Sequence, residues 1–141
     1  MSKVIIFTNE NGFASIVYPA EGVSMKEVIK KSIPEGSDYH IVNKEDIPAD
    51  RSYRNALVVN RGKLRHSMTK ARALHMDQIR AKRNARLKEL DVAVMKKIEK
   101  EEDPFILAEL KQRLRDIPEN FDLSKAKNTE DLKRLWPDEL Q

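Results

Sequence analysis

The longest stretch free of helix breakers decides most of what this chain can become. From about Leu64 to Glu102 there is neither Gly nor Pro, and Ala, Leu, Arg, Lys and Glu dominate, all strong helix formers. The stretch predicts one helix of nearly 40 residues, or two with a weak joint. Globular helices average about 11–12 residues, so a helix this long needs a partner surface along its flank. Asp103-Pro104 interrupts it and starts another, because Asp is a good N-cap and Pro is favoured at the first helical position. Residues 105–117 then carry the stripe Leu107, Leu110, Leu114 and Ile117, matched on the preceding helix by Leu87, Leu90, Val94 and Ile98. A tight connection at 101–104 folds the two stripes onto each other as an αα-hairpin with a coiled-coil-like core. The shorter arm covers only about residues 85–100 of the longer. Residues 64–84 keep sparse, helically spaced apolar positions (Leu64, Met68, Ala71, Leu74 and Ile79). These must pack on the N-terminal module, on another chain, or on nothing. Pro118 is expected to end the second arm, and Asn128 or Thr129 to cap a last helix containing Leu132, Leu135 and Trp136 before Pro137.

The first 60 residues have a different grammar. Lys3–Thr8 and Phe13–Tyr18 are β-branched and aromatic runs joined by the turn signal Asn9-Glu10-Asn11-Gly12, which predicts a β-hairpin. Ser24 and Glu27 form a capping box, flanked by Val23 and Val28 at the hydrophobic-staple positions, so a short helix starts there and ends at Pro34-Glu35-Gly36. Tyr39–Val42 and Tyr53–Val59 read as two more strands separated by the polar segment 46–51, and Asn60-Arg61-Gly62 breaks the last. The expected fold class is therefore α+β: a β-β-α-β-β module over 1–62, then a helical hairpin with a C-terminal helix over 63–141. A module of 60 residues is marginal alone, and aromatics are only 6% of the chain, so further apolar contacts are expected from partners.

Charge is unevenly placed. The net +4 divides into −1 over residues 1–60, +9 over 61–100 and −4 over 101–141. Within 61–88, ten basic residues face the single acid Asp77. Such a block attracts polyanions or an acidic protein surface. Its helical members Lys70, Arg72, Arg80, Lys82, Arg83 and Arg86 are the candidate partner-binding residues, with Arg61, Lys63, Arg65 and Lys88 beside them. A solvated helix face, or the positive half of a contact with the acidic segments of the same chain, explains them equally well. No aromatic lies between Tyr53 and Phe105, so base stacking finds no support.

Chemistry is not legible. With no cysteine there is no thiol nucleophile and no thiolate metal site. The histidines His40, His66 and His75 are too scattered for a metal motif or an oriented base, and are expected at the surface or half-buried. Glu101, Glu102 and Asp103 at the hairpin tip have no EF-hand spacing. Four isolated glycines build no phosphate loop. No enzyme activity and no cofactor is expected. No apolar run approaches the ~18 residues of a membrane span, and four apolar residues in a row, Val4 to Phe7, fall short of a secretory leader. Trp136, the one tryptophan, either docks the tail back on the body or serves as an anchor for a partner.

Three stretches together resemble a known group of proteins: Ile47 to Ala56, the long helix from Lys70-Ala71-Arg72 through Leu87 to Val92, and Lys111–Pro118 closed by Thr129–Pro137. The sequence is similar to a family of small proteins of tailed bacteriophages and prophages, encoded near tail or tail-fibre genes and often labelled tail-fibre-assembly-like. The resemblance runs along nearly the whole chain in order, on structural punctuation rather than chemistry. It implies a non-enzymatic virion component or assembly helper. Its partners are then phage tail or tail-fibre proteins and further copies of itself, and its place the virion or the host cytoplasm. The alternative is a nucleic-acid-binding phage accessory using the basic helix 61–88.

Overall fold

The computed structural model describes residues 2–141. The chain is α+β, with strands in its N-terminal half and helices after them. It divides into two compact units, Met1–Ala71 and Arg72–Gln141.

The first unit is built on a strand with no polar side. β1 (Lys3–Thr8) carries Val4, Ile5, Ile6 and Phe7, all buried. A continuous apolar run is what a strand covered on both faces requires. β2 (Ala14–Val17) and β3 (Tyr39–Asn43) flank it, both antiparallel, in the order β2-β1-β3. The helix α1 (Met25–Ser32) covers one face, where Ile5 and Phe7 cluster with Val28 and Ile33. Its start is set as the sequence predicts, with the Ser24 hydroxyl accepting the Glu27 N–H at 3.3 Å. On the other side lies a second sheet, β4 (Leu57–Asn60) paired with β5 (Lys63–His66), with β4 against β1 and β2.

Here the structure corrects the expected outline. Asn60-Arg61-Gly62 does not break a last strand; it turns one strand into another. Arg61 and Gly62 have φ of 53° and 75°, and two consecutive positive φ values are the requirement of a type I′ hairpin turn. The expected strand over 53–59 is shorter: Arg54–Ala56 form a single 3-10 turn before β4, with Tyr53, Ala56 and Leu57 buried. The first unit therefore takes in β5 and the first turn of the long helix, and its limit falls after Ala71 rather than after residue 62.

The long helix α2 spans Met68–Glu99, 32 residues without interruption. Ser67 fixes its start: its hydroxyl accepts the Lys70 N–H at 3.3 Å and its carbonyl the Ala71 N–H at 2.8 Å. At the far end Glu101 takes φ 57°. The Glu102 N–H then reaches the Lys97 carbonyl at 2.8 Å and the Glu101 N–H the Ile98 carbonyl at 3.0 Å, the two bonds of a Schellman closure. The Asp103 carboxylate accepts the Phe105 N–H at 2.9 Å, and α3 (Phe105–Asn120) runs back. Pro118 lies inside α3 rather than ending it: near a C-terminus its missing N–H costs one bond, and the Phe121 N–H still closes on the Ile117 carbonyl at 2.8 Å. A short helix α4 (Thr129–Arg134) follows, capped by Asn128, whose side chain accepts the Asp131 N–H at 2.8 Å.

The hairpin core is narrower than its two stripes. Leu90, Leu114 and Ile117 are buried, while Leu87, Val94, Leu107 and Leu110 are half-buried. Ile98 is 57% exposed and is not a core residue. A salt bridge from Lys111 to Asp91 lies between the arms.

Two predictions follow the geometry of this hairpin. Leu114→Ala removes a fully buried side chain and is expected to cost about 2–5 kcal/mol, whereas Ile98→Ala changes stability by under about 0.5 kcal/mol, both read from urea unfolding. Glu101→Gly relieves a left-handed backbone that disfavours any Cβ and is expected to stabilise by about 1 kcal/mol, seen as a higher thermal midpoint.

Candidate interaction surfaces

The basic segment of α2 is covered from within its own unit. Ile79 and His75 are among the most completely buried side chains of the chain, at 0% and 1% exposure. With Ala71, they form an i, i+4, i+8 row along one flank of α2. What covers the row beyond Arg72 is the C-terminal segment, through direct hydrogen bonds. Arg72 donates from Nη2 to the Ala126 carbonyl at 2.9 Å, and the His75 ring nitrogen Nε2 lies 2.8 Å from the Leu135 carbonyl. Leu123, Ala126, Leu132 and Leu140 are buried in this segment. The stretch left without a partner in the hairpin scheme therefore finds one in the tail. His75, expected at or near the surface, is a buried constituent of that contact.

Trp136 is fastened to the same flank. Its ring meets His75 edge-on, centroids 5.0 Å apart at 68°. Lys82 Nζ sits 4.9 Å from its ring centroid in a cation–π contact. The indole N–H donates to the Lys133 carbonyl at 2.9 Å. Of the two roles weighed for Trp136, docking the tail is the one its contacts serve. The tail's turn at Asp122 is fixed by the Ser124 backbone N–H and hydroxyl, both at 2.9 Å from the carboxylate. These bonds, the backbone one foremost, hold Asp122 below the usual carboxylate range.

Each of the six candidate basic residues has a partner within its own unit. In the first, Lys70 donates to the Gly12 carbonyl at 2.6 Å. In the second, besides Arg72 and Lys82, Arg80 pairs with Asp77 at 3.1 Å, Arg86 with Glu89 at 2.9 Å, and Arg83 donates to the Asn84 side chain at 3.1 and 3.2 Å. The six share no single face. Lys70, Arg72 and Lys82 act as tethers. Arg80 and Arg86 stay about half exposed in i, i+3 pairs, which stabilise by only about 0.3–0.5 kcal/mol and exchange readily for another anion.

The most exposed apolar side chains of the second unit lie elsewhere, near the hairpin tip. Val92, Met95, Ile98, Phe105 and Ile106 are 55–78% exposed. They gather within about two helical turns on either side of the joint. The joint itself is charged, with Lys97 bonded to Glu102 at 2.9 Å. Five large exposed apolar side chains near one helical joint are many for a chain this polar, and exposed apolar surface of this kind suits contact. The stripe pattern concealed them by counting Ile98 as core and leaving Phe105 and Ile106 outside it.

An open cleft of about 340 Å³ lies between α3 and the tail, lined by Arg113, Asp116, Phe121, Trp136 and Asp138 among others. Among the described residues no three His, Asp or Glu side chains come together as a metal site, and no helix is long and apolar enough to cross a membrane.

Trp136 is the chain's only tryptophan, so its emission reports this tail contact alone. His75→Ala is expected to shift that emission to the red and lower the thermal midpoint, while Arg80→Ala leaves both unchanged.

In comparisons with known proteins, no family model, no curated protein and no solved structure matches the chain.

Proposed function

We propose that this chain is a non-enzymatic, tail-associated bacteriophage protein, a structural or tail-fibre assembly component that works by protein–protein contact in the virion or the host cytoplasm. The phage assignment rests on the resemblance of residues 47–56, 70–92, 111–118 and 129–137. The mode of action rests on one observation: five large apolar residues near the hairpin joint, Val92, Met95, Ile98, Phe105 and Ile106, are each more than half exposed. Exposed apolar side chains on both helices beside the joint suit contact with a larger assembly, which supplies the burial they lack.

The second reading is a nucleic-acid-binding accessory. It is favoured by Arg80 and Arg86, whose exposed pairs are weak enough for phosphate to displace. The tethering of Lys70, Arg72 and Lys82 within the chain weighs against it.

Co-purification with tail and tail-fibre proteins, from virions and from cells expressing both, separates the two. The wild-type chain is expected to be retained. Phe105→Ser with Ile106→Ser keeps the circular dichroism melt, since both side chains are exposed, and lowers retention at least tenfold. Absence of the wild-type chain from every tail complex refutes the proposal. Nucleic-acid binding that weakens steeply with salt, and is lost in the Arg80→Ala/Arg83→Ala/Arg86→Ala variant, establishes the second reading instead.

A further inference from the structure

The backbone of the first unit leaves one strand edge open in a defined phase. The Lys44 N–H bonds to the Ser2 carbonyl at 3.0 Å, and β1 pairs with β3 in the register Val4↔Val42, Ile5↔Ile41, Ile6↔His40. In an antiparallel ladder, hydrogen-bonded and non-hydrogen-bonded pairs alternate. Residues 40, 42 and 44 therefore turn their backbone groups toward β1. Tyr39, Ile41 and Asn43 turn theirs outward, where β3, an end strand of the sheet, has no ladder partner. The other phase gives the same result: Asn9 N–H bonds to the Phe13 carbonyl at 2.9 Å, which directs Ile5 and Phe7 toward β2 and leaves Val4 and Ile6 for β3.

Two apolar side chains along this edge are exposed as well. Ile41 is 47% and Tyr39 41% exposed. They share the face of Ile5 and Phe7, to which they are opposed in register. α1, only eight residues long, covers β1 there; Tyr39 borders a cleft with Ile29 and Ile33 at its end, and both Tyr39 and Ile41 stay partly open. The opposite edge, β2, is four residues long and runs within two residues into Pro19, which has no N–H to donate.

We infer that the protein self-associates edge to edge through β3, antiparallel, about a two-fold axis at Ile41. The occupant is a second copy because the strand is complementary to itself in this register. Ile41 faces Ile41 of the second copy, an apolar cross-strand pair. Tyr39 faces the second copy's Asn43. Every outward N–H and C=O of the three residues then meets a partner, which an axis at residue 40 or 42 does not achieve. One step beyond the strand's start, Asp38 stands opposite the second copy's Lys44, which opens the 3-10 turn Lys44–Asp46 one step beyond the strand's end, so two opposite-charge pairs flank the axis symmetrically. A two-fold contact repeats each interaction twice, and two three-stranded sheets become one of six strands. An edge of five residues makes a small interface, under about 1,200 Å², with an expected dissociation constant of about 1–100 µM. This inference rests on strand geometry alone and is independent of the tail assignment.

Sedimentation equilibrium of the full chain over a wide concentration range tests it. The wild type is expected to pass from monomer to dimer in the micromolar range. Ile41→Lys, at a half-exposed position, sets two like charges across the axis and is expected to leave a monomer with an unchanged circular dichroism melt. Asp38→Lys opposes like charges at both flanks and weakens association at least tenfold. Adding Lys44→Asp restores it, a rescue that general destabilisation does not produce. A wild type monomeric to about 500 µM overturns the inference. So does a dimer that Ile41→Lys leaves intact, which places the contact elsewhere, and Phe105→Ser with Ile106→Ser then shows whether it is the hairpin tip.

Discussion

The second unit depends on a mismatch of lengths. An α-helix rises 1.5 Å per residue, so α2 is about 48 Å long and α3 about 24 Å. Antiparallel packing of α3 covers α2 only near Leu90, with Leu114 and Ile117 buried opposite. Without further cover, Ile79 and His75 would face water, and burying His75 brings a polar ring that needs a hydrogen-bond partner. The tail resolves both. It supplies apolar surface through Leu123, Ala126, Leu132 and Leu140. It also supplies acceptors through the carbonyls of Ala126 and Leu135 for Arg72 and His75. The last twenty residues are thus the third wall of the unit rather than an appendage.

How much of this was legible in the sequence depended on whether the signal was local. The Ser24 cap of α1, the Asn128 cap and the stop of α2 before Asp103 are local chemistry, and they appear where expected. The β4–β5 hairpin was missed although its signal was local as well. Lys-Leu-Arg-His alternates polar and apolar, and Arg61-Gly62 is a two-residue turn. The lack of Gly and Pro after residue 62 favoured helix, and Arg is an unusual first residue for a type I′ turn, where Asn or Asp tolerates positive φ better. The cover over residues 72–86 was not locally legible at all, because the partners are 54 and 60 positions away in sequence. His75 was misplaced for the same reason. A histidine in a row with Ala71 and Ile79 is recognisable as buried once an acceptor is known to face it.

The charge distribution takes on a different meaning in the folded chain. Part of the +9 of residues 61–100 is engaged inside the folded chain. Arg72 and Lys82 hold the tail, one through a carbonyl and one through an indole ring, and Lys70 holds the β1–β2 turn at Gly12. Long aliphatic stems with a charged head serve well here, since the stem lies along apolar surface while the head finds a partner. What remains for other molecules is divided between the two units by chemical type. The first offers backbone groups and two exposed apolar side chains along an open strand. The second offers exposed apolar side chains on both helices beside their joint.

The tail's contacts with α2 also set an order of events during synthesis. Arg72 and His75 leave the ribosome some 54 to 60 residues ahead of the carbonyls that receive them. At about 5–20 residues per second that interval is roughly 3–12 s, long compared with the microseconds in which a helix forms. α2 and α3 therefore meet first, through contacts close in sequence, and the flank carrying His75 and Ile79 stays uncovered on the nascent chain for seconds. During that interval the buried flank of the finished unit is part of the nascent chain's surface.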